Sequence, residues 1–270
     1  QVTPGIRVSS AVVPTKNYLF PEPRLSVRYA LNENEAMKMS YSRMVQYMHR
    51  ISNSAVSSPT DVWYPVTDSI KPQTSHQVAL AWQRQMDGKG FFLSVEGYYK
   101  QMNQLIGYEE GTNLFLNTDF ESKLIQGKGK AYGVEFLVRK NTGKLTGWMS
   151  YTLSWSHRQF DEINAGMWFP SRYDRRHNGA IVAQYAFNKR WAASVVWEYI
   201  SGSRFTPVIG QYAILAPTLT GADLIPVYSG INEVKLAASH RLDVGLKFKS
   251  NPARKFQWQW FAGVYNVYNR

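Results

Sequence analysis

The chain has 270 residues, no cysteine, 44% apolar and 14% aromatic residues, and 31 Lys+Arg against 19 Asp+Glu, a net charge of +12 at pH 7. That length and apolar content exclude a disulfide-stapled miniprotein and a disordered tail. A mean hydropathy of −0.36 and the lack of any apolar run near the roughly 20 residues of a membrane helix exclude helical spans, but not a transmembrane β-barrel, whose strands meet lipid only at every second residue.

In chain order, Gln1 to Ser10 carries no start methionine, charged n-region or apolar h-region, so a mature chain or an internal piece is expected. Gly5 to Ser9 reads as a first strand. Leu25, Val27, Tyr29 and Leu31 then alternate with Arg24, Ser26 and Arg28, and the turn Asn32-Glu33-Asn34 leads into Met37, Met39 and Tyr41. Val78, Leu80 and Trp82 pass through Asp87-Gly88-Lys89-Gly90 to Phe91, Leu93, Val95 and Tyr99, with Ser94, Glu96, Tyr98 and Lys100 on the opposite face. Tyr132, Val134, Phe136 and Val138 alternate with Gly133, Glu135, Leu137 and Arg139, and Asn141 to Lys144 turns into Leu145, Met149, Tyr151, Leu153 and Trp155. Ile181, Ala183, Tyr185 and Phe187 reach Trp191, Ala193, Val195, Trp197 and Tyr199 through Asn188-Lys189-Arg190. Leu242, Val244, Leu246 and Phe248 are followed by a turn at Asn251 to Lys255 and by Phe256, Trp258, Trp260 and Val264. A period of two sustained in this way, with turn residues between runs, predicts about eleven antiparallel strands.

The connections alternate as well. Those within pairs are a few residues long, whereas those between pairs run through 51–74, 106–126, 159–174 and 202–238. Short turns on one rim and long loops on the other, joined by strands of roughly ten residues, predict an outer-membrane barrel rather than a compact soluble domain. Trp155, Trp191, Tyr199 and Tyr265, near strand ends, are expected in the interfacial aromatic girdles.

These residues carry a resemblance. Glu22-Pro23-Arg24-Leu25, Met39 to Gln46, Ser58 to Trp63, Ile70 to Gln73, Val95 to Lys100, Gly127 with Ala131 to Glu135, Ser150 to Ser154 and Phe169 to His177 occur in the order and spacing of a known barrel. Together they resemble the barrel of TonB-dependent outer-membrane receptors of the Bacteroidetes type, over essentially the whole chain. The resemblance implies a Gram-negative outer-membrane location, an N-terminal plug with a TonB box, and import of a scarce ligand energised through the TonB complex. It also admits a SusD-like surface lipoprotein partner. No plug or TonB box stands before Gln1, and Asn266 to Arg270 lacks a final strand ending in an aromatic residue. At roughly 25 residues per strand a barrel of about 22 strands needs about 550 residues, so residues 1–270 are expected to be roughly the C-terminal half, with the plug and last strand outside.

No catalytic, cofactor or metal site is predicted. Gly127-Lys128-Gly129 with Gly133 has neither the spacing nor the following helix of a dinucleotide loop and reads as turn and strand. The histidines, His49, His76, His157, His177 and His240, lack ligand spacing. Glu109-Glu110 and Asp161-Glu162 read as solvated loop charges. If lipid takes the apolar positions, the lumen takes Arg24, Arg28, Lys38, Glu96, Lys100, Glu135, Arg139, Glu198, Arg241, Asp243 and Lys247. A Lys or Arg facing lipid at the midplane costs about 2–4 kcal/mol. Structural lining against one another and the plug is the simpler role for this set, direct ligand contact the sharper one. In the loops, Trp63, Tyr64, Trp168, Phe169, Arg172, Tyr173, Phe205 and Tyr212 supply rings and guanidinium groups suited to a glycan, a peptide or a flat small-molecule chelate, and equally to packing loops together. The basic residues form no stripe, so nucleic acid is not expected; lipopolysaccharide, the plug and an anionic ligand are the expected counter-charges. Two other functions fit less of the pattern: a passive channel or structural barrel in an envelope complex, and a secreted glycan-binding β-sandwich.

Overall fold

The computed structural model describes residues 1–51, 62–108, 120–215, 222–251, 253 and 255–269. Ser58 to Asp61 and the Glu109-Glu110 pair lie outside them. β1 (Val2–Val12) and β2 (Asn17–Ala30) form a hairpin, and a short turn leads to β3 (Glu35–Gln46). A small hairpin follows, β4 (Met48–Ile51) with β5 (Val62–Pro65). Next come β6 (Gln73–Met86), β7 (Phe91–Gly107), β8 (Ile125–Lys140) and β9 (Leu145–Gln159), and the short β10 (Phe169–Pro170) folds back onto β9. After β11 (His177–Ala186) and β12 (Trp191–Ile200) the chain makes two nested hairpins. In these, β13 (Arg204–Phe205) pairs with β16 (Val234–Lys235) and encloses β14 (Val208–Leu215) paired with β15 (Ala222–Tyr228). β17 (Ser239–Lys249) and β18 (Gln259–Val264) complete the order.

Eleven of these strands make one antiparallel wall, β1-β2-β3-β6-β7-β8-β9-β11-β12-β17-β18, in which every strand pairs with its predecessor and successor and no connection crosses another. β1 and β18 do not pair with each other among the described residues, so the wall is an open sector. β7, β8 and β9 have 17, 16 and 15 residues, longer than the expected ten and than the roughly 9–11 a tilted strand needs to cross a hydrocarbon layer. They therefore project past any such layer.

The short turns follow local chemistry. The Asn188 side-chain Oδ1 accepts from the backbone N–H groups of Arg190 at 2.8 Å and Trp191 at 2.9 Å, the Asx device that lets a side chain replace part of a turn. Neighbouring turns are stitched along the rim: Gln85 N–H donates to Asn34 O, Asn141 to Gly90, Ala186 to Lys144 and Lys249 to Arg190, all within 2.9 Å.

Because side chains alternate across a strand, the wall has two unlike faces. One carries large apolar residues left exposed, such as Tyr29 at 67%, Met39 at 53% and Leu80 at 50%; so broad an apolar surface marks contact with something other than water. On the other face even small residues are covered, Ala79 at 6% and Ala81 at 2%, with no second layer above them among the described residues. Mutual shielding of this kind is what the concave side of a curved sheet produces. No helix among the described residues is long and apolar enough to cross a membrane.

Three expectations change. β18 starts at Gln259, so Phe256 and Trp258 belong to the preceding connection. Tyr265 stands just past β18 with its ring over the Arg241 guanidinium on the polar face, not in an outer girdle. The long connections, expected only as loops, carry in their described residues the β4–β5, β13–β16 and β14–β15 hairpins and contribute to the two buried apolar clusters that the described residues show.

Candidate ligand-binding site at the long-loop rim

The polar-face ends of β7, β8 and β9 carry the site. β7 has a bulge where its register to β8 shifts between Asn103 and Leu105, with Gln104 in the left-handed region at φ 59°. The extra residue exchanges the faces of the β7 end and turns Leu105 onto the polar side. There Leu105 joins Phe160, Ile163 and Phe169 in a buried cluster. Gly127 makes room for this floor: a Cβ there would stand 2.2 Å from Gln159 O and 2.5 Å from the Phe160 ring. A Cβ on Gly129 would meet Leu105 at 2.5 Å. The glycines of the apparent nucleotide motif are seats for two side chains.

Above this floor lies a cavity of about 250 Å³. Its polar lining includes Gln46, Gln73, Asn232, Tyr108, Tyr173 and three arginines, Arg50, Arg158 and Arg172, and no carboxylate among the described residues. Arg50 donates to the Tyr173 hydroxyl at 2.7 Å and covers its ring at 5.5 Å. Beside the cavity, the buried Asp174 holds the loop in place: it pairs with Arg176 at 3.3 Å and Arg204 at 3.2 Å and accepts the Ser156 N–H at 2.9 Å. The nearby acid is thus committed, and the cavity keeps a positive lining.

The β4–β5 hairpin forms one wall. His49 is fully buried, with Nδ1 2.8 Å from Gln73 Nε2 and no partner at Nε2 among the described residues; burial pushes its pKa down to about 4. Tyr64 donates to Glu121, which also accepts from Thr67 and Ser69. Bonds from Ser69, Thr67 and Tyr64 hold the Glu121 carboxyl below the usual carboxylate range. Burial, and then that bond, push Tyr64 up to about 12.

Of the loop residues singled out in the sequence, Phe169, Arg172 and Tyr173 line this cavity. Tyr64 packs on the adjoining cluster of Ile51, Ile70, Ile106 and Leu124. Trp168 lies under Lys130 Nζ at 4.2 Å, Phe205 is in β13, and Trp63 and Tyr212 are exposed on hairpins; none of the four lines the cavity. Arg50 and Arg158 were missed. Arg158 was accessible to the same reading, since it continues the even-numbered polar face Ser150, Thr152, Ser154, Ser156.

The pairing register puts all of Arg24, Arg28, Lys38, Glu96, Lys100, Glu135, Arg139, Glu198, Arg241, Asp243 and Lys247 on one face. Arg241 binds Glu198 at 3.4 Å and Asp243 at 3.1 Å, and donates to the Tyr265 hydroxyl at 2.6 Å. Elsewhere like charges stand directly opposite, Arg28 to Lys38 and Glu96 to Glu135. Such pairs destabilise a bare sheet.

A family model described as TonB dependent receptor-like, beta-barrel, matches residues 1–267. The chain belongs to that family. Solved structures of similar fold include the ferric-catecholate import receptor Fiu from E. coli K12, at 16% identity and a TM-score of 0.62, covering 94% of this chain and 32% of that one. The ferripyoverdine receptor of the Pseudomonas aeruginosa outer membrane, bound to ferripyoverdine, shares 12% identity with a TM-score of 0.64, covering 100% and 32%. The FrpB iron transporter from Neisseria meningitidis shares 12% identity with a TM-score of 0.58, covering 94% and 36%. This chain thus spans about a third of each receptor's length. No curated protein matches it.

Proposed function

We propose that the chain is part of the wall of an outer-membrane receptor that imports a scarce anionic ligand, energised through TonB. The observation that carries this reading is the arginine-lined cavity at the long-loop rim of a TonB-dependent receptor-like wall. Guanidinium groups bind carboxylate-, catecholate- or phosphate-bearing ligands through charge-assisted hydrogen bonds. The fold shared with the ferric-catecholate import receptor and the ferripyoverdine receptor supports a ferric chelate as the first ligand to test. The bilayer does not tolerate unpaired strand edges, so further strands complete the barrel at β1 and β18. A plug inside it supplies counter-charges to the opposed pairs Arg28/Lys38 and Glu96/Glu135, and its TonB box links the receptor to the inner membrane. Lipopolysaccharide meets the apolar face, and a SusD-like lipoprotein is a partner to seek by co-purification. The chemistry is transport, not catalysis.

The test uses the protein in its natural length in a Gram-negative host and a radiolabelled ferric catecholate as probe. Uptake is expected to cease when the proton-motive force is collapsed, with surface binding retained, and Arg158→Gln is expected to weaken binding about tenfold or more. Uptake at full rate without the proton-motive force defeats the energised mechanism. Absence of binding by the unsubstituted receptor defeats the anionic-chelate assignment.

A further inference from the structure

No basic stripe is visible along the sequence, but the fold gathers about half of the basic excess at the short-turn rim from β8 to β18. Lys140, Lys144, Lys189, Arg190, Lys249 and Lys255 stand in or next to its three turns, and no Asp or Glu accompanies them among the described residues. None of the six pairs with a carboxylate among the described residues. The other short turns differ: there Glu35 pairs with Arg84 at 3.1 Å, and Glu33 and Asp87 offset Lys89. The backbone bonds from Ala186 to Lys144 and from Lys249 to Arg190, both 2.8 Å, hold the basic turns side by side. At about 4.8 Å per strand this row of cations extends roughly 25 Å along the rim.

A second feature fixes the level of this row. On the apolar face beside it, Trp191 packs on Phe248 at 4.6 Å, Phe248 on Trp258 at 5.4 Å, and Trp258 on Trp260 at 6.2 Å. Amphipathic rings of this kind settle at the headgroup boundary of a bilayer. Arg190 and Lys249 follow or precede members of that ladder by one residue, on the side away from the hydrocarbon.

We propose that this sector of the short-turn rim binds the phosphates of anionic phospholipids, with phosphatidylglycerol as the representative chemistry, in the leaflet that meets the short turns. The proposal rests on the membrane-barrel reading above. A cation near an anionic surface attracts it by about 1 kcal/mol, about fivefold, and the attraction fades beyond a Debye length. The row therefore selects lipid by charge while the aromatic ladder sets depth. It also gives about half of the +12 a partner.

The test places the natural-length protein in nanodiscs and compares tryptophan quenching by brominated phosphatidylglycerol with that by brominated phosphatidylcholine. The expected preference for the anionic lipid is about fivefold or more, falling toward equality in K144Q/K189Q/R190Q/K249Q and in about 0.5 M salt. K189Q/R190Q, a milder change, is expected to lose part of it, and K89Q, in the mixed-charge sector, none. Equal quenching by both lipids in the inserted wild type overturns the proposal, as does a preference that survives the fourfold variant; the latter assigns the row to an acidic protein instead. Failure of the wild type to resist alkaline extraction from membranes is a separate result that removes the barrel reading itself.

Discussion

The two rims of the wall are built on different principles. At the short-turn rim each connection is closed by its own residues, as Asn188 closes the turn before Trp191, and neighbouring turns touch through one backbone bond each, joined at the β3–β6–β7–β8 end by the Glu35–Arg84 pair and the Lys140 Nζ to Lys89 O bond. At the long-loop rim there are local turns too, such as Val13 N–H to Lys16 O at 2.9 Å, but the connections are also tied to one another through side chains. Asp174 reaches across to Arg204 in another connection, Tyr64 to Glu121, and Phe160 sits on Gly107 of β7 and Gly127 of β8. One rim is a row of independent parts, the other a network, so equal chemical deletions are expected to have unequal consequences.

The largest effect is expected at Asp174. Asp174→Ala leaves Arg176 and Arg204, both mostly covered, without their shared carboxylate, and frees the Ser156 N–H. Breaking such a pair from one side costs about 3–5 kcal/mol. Hydrogen exchange is expected to speed up together across 160–176 and β13, while β11 and β12 keep their protection. Acceleration confined to Asp174 and its neighbours would show that this rim, too, is a set of independent parts.

Acidification probes the same network from the β4–β5 hairpin. His49 is docked neutral, with its pKa lowered from about 6.5 to about 4 by burial. A folded-state pKa below the unfolded value means the stabilisation is fully present above about pH 6.5 and is lost as pH falls toward 4, on the order of 3 kcal/mol at most. Glu121 does not open first, because its depressed pKa keeps it ionised through this window. Backbone protection in β4 and β5 is expected to drop between pH 6.5 and 4.5, and probe binding with it, while the short-turn rim stays unchanged. Constant protection over that range would remove His49 from the docking of the hairpin.

The same difference governs how much was legible in the sequence. The wall obeys one rule, apolar against apolar at every second residue, so the strand order and the common face of residues as distant as Arg24 and Lys247 follow from period two alone. The rule holds even at Tyr265, where the girdle expectation ran against it: Val264 pairs with Val244 on the apolar face, so the next residue falls on the polar face beside Arg241. It fails where its premises fail. At Gln104 one extra residue exchanges the faces of β7, and nothing in the local pattern announces it. The loop site depends on partners far apart in the chain, Arg50 with Tyr173 and Gly127 with Phe160. Aromatic content marked Phe169 and Tyr173, but it marked Trp168 equally, and only the fold separates them.

The smallest effect is expected at Asn188. Its Oδ1 accepts two backbone N–H groups, but both lie at an exposed turn where water can replace them. Net contributions of such bonds are about 1 kcal/mol, so Asn188→Ala is expected to lower stability by about that much, read as a small shift in the denaturation midpoint. The bond from Lys249 to Arg190 survives the change because it is backbone to backbone. Exchange is therefore expected to quicken at Arg190 and Trp191 and to stop there. Should the loss spread to the neighbouring turns at Lys144 and Lys249, the short-turn rim is itself a network, and the contrast between the rims is one of length only.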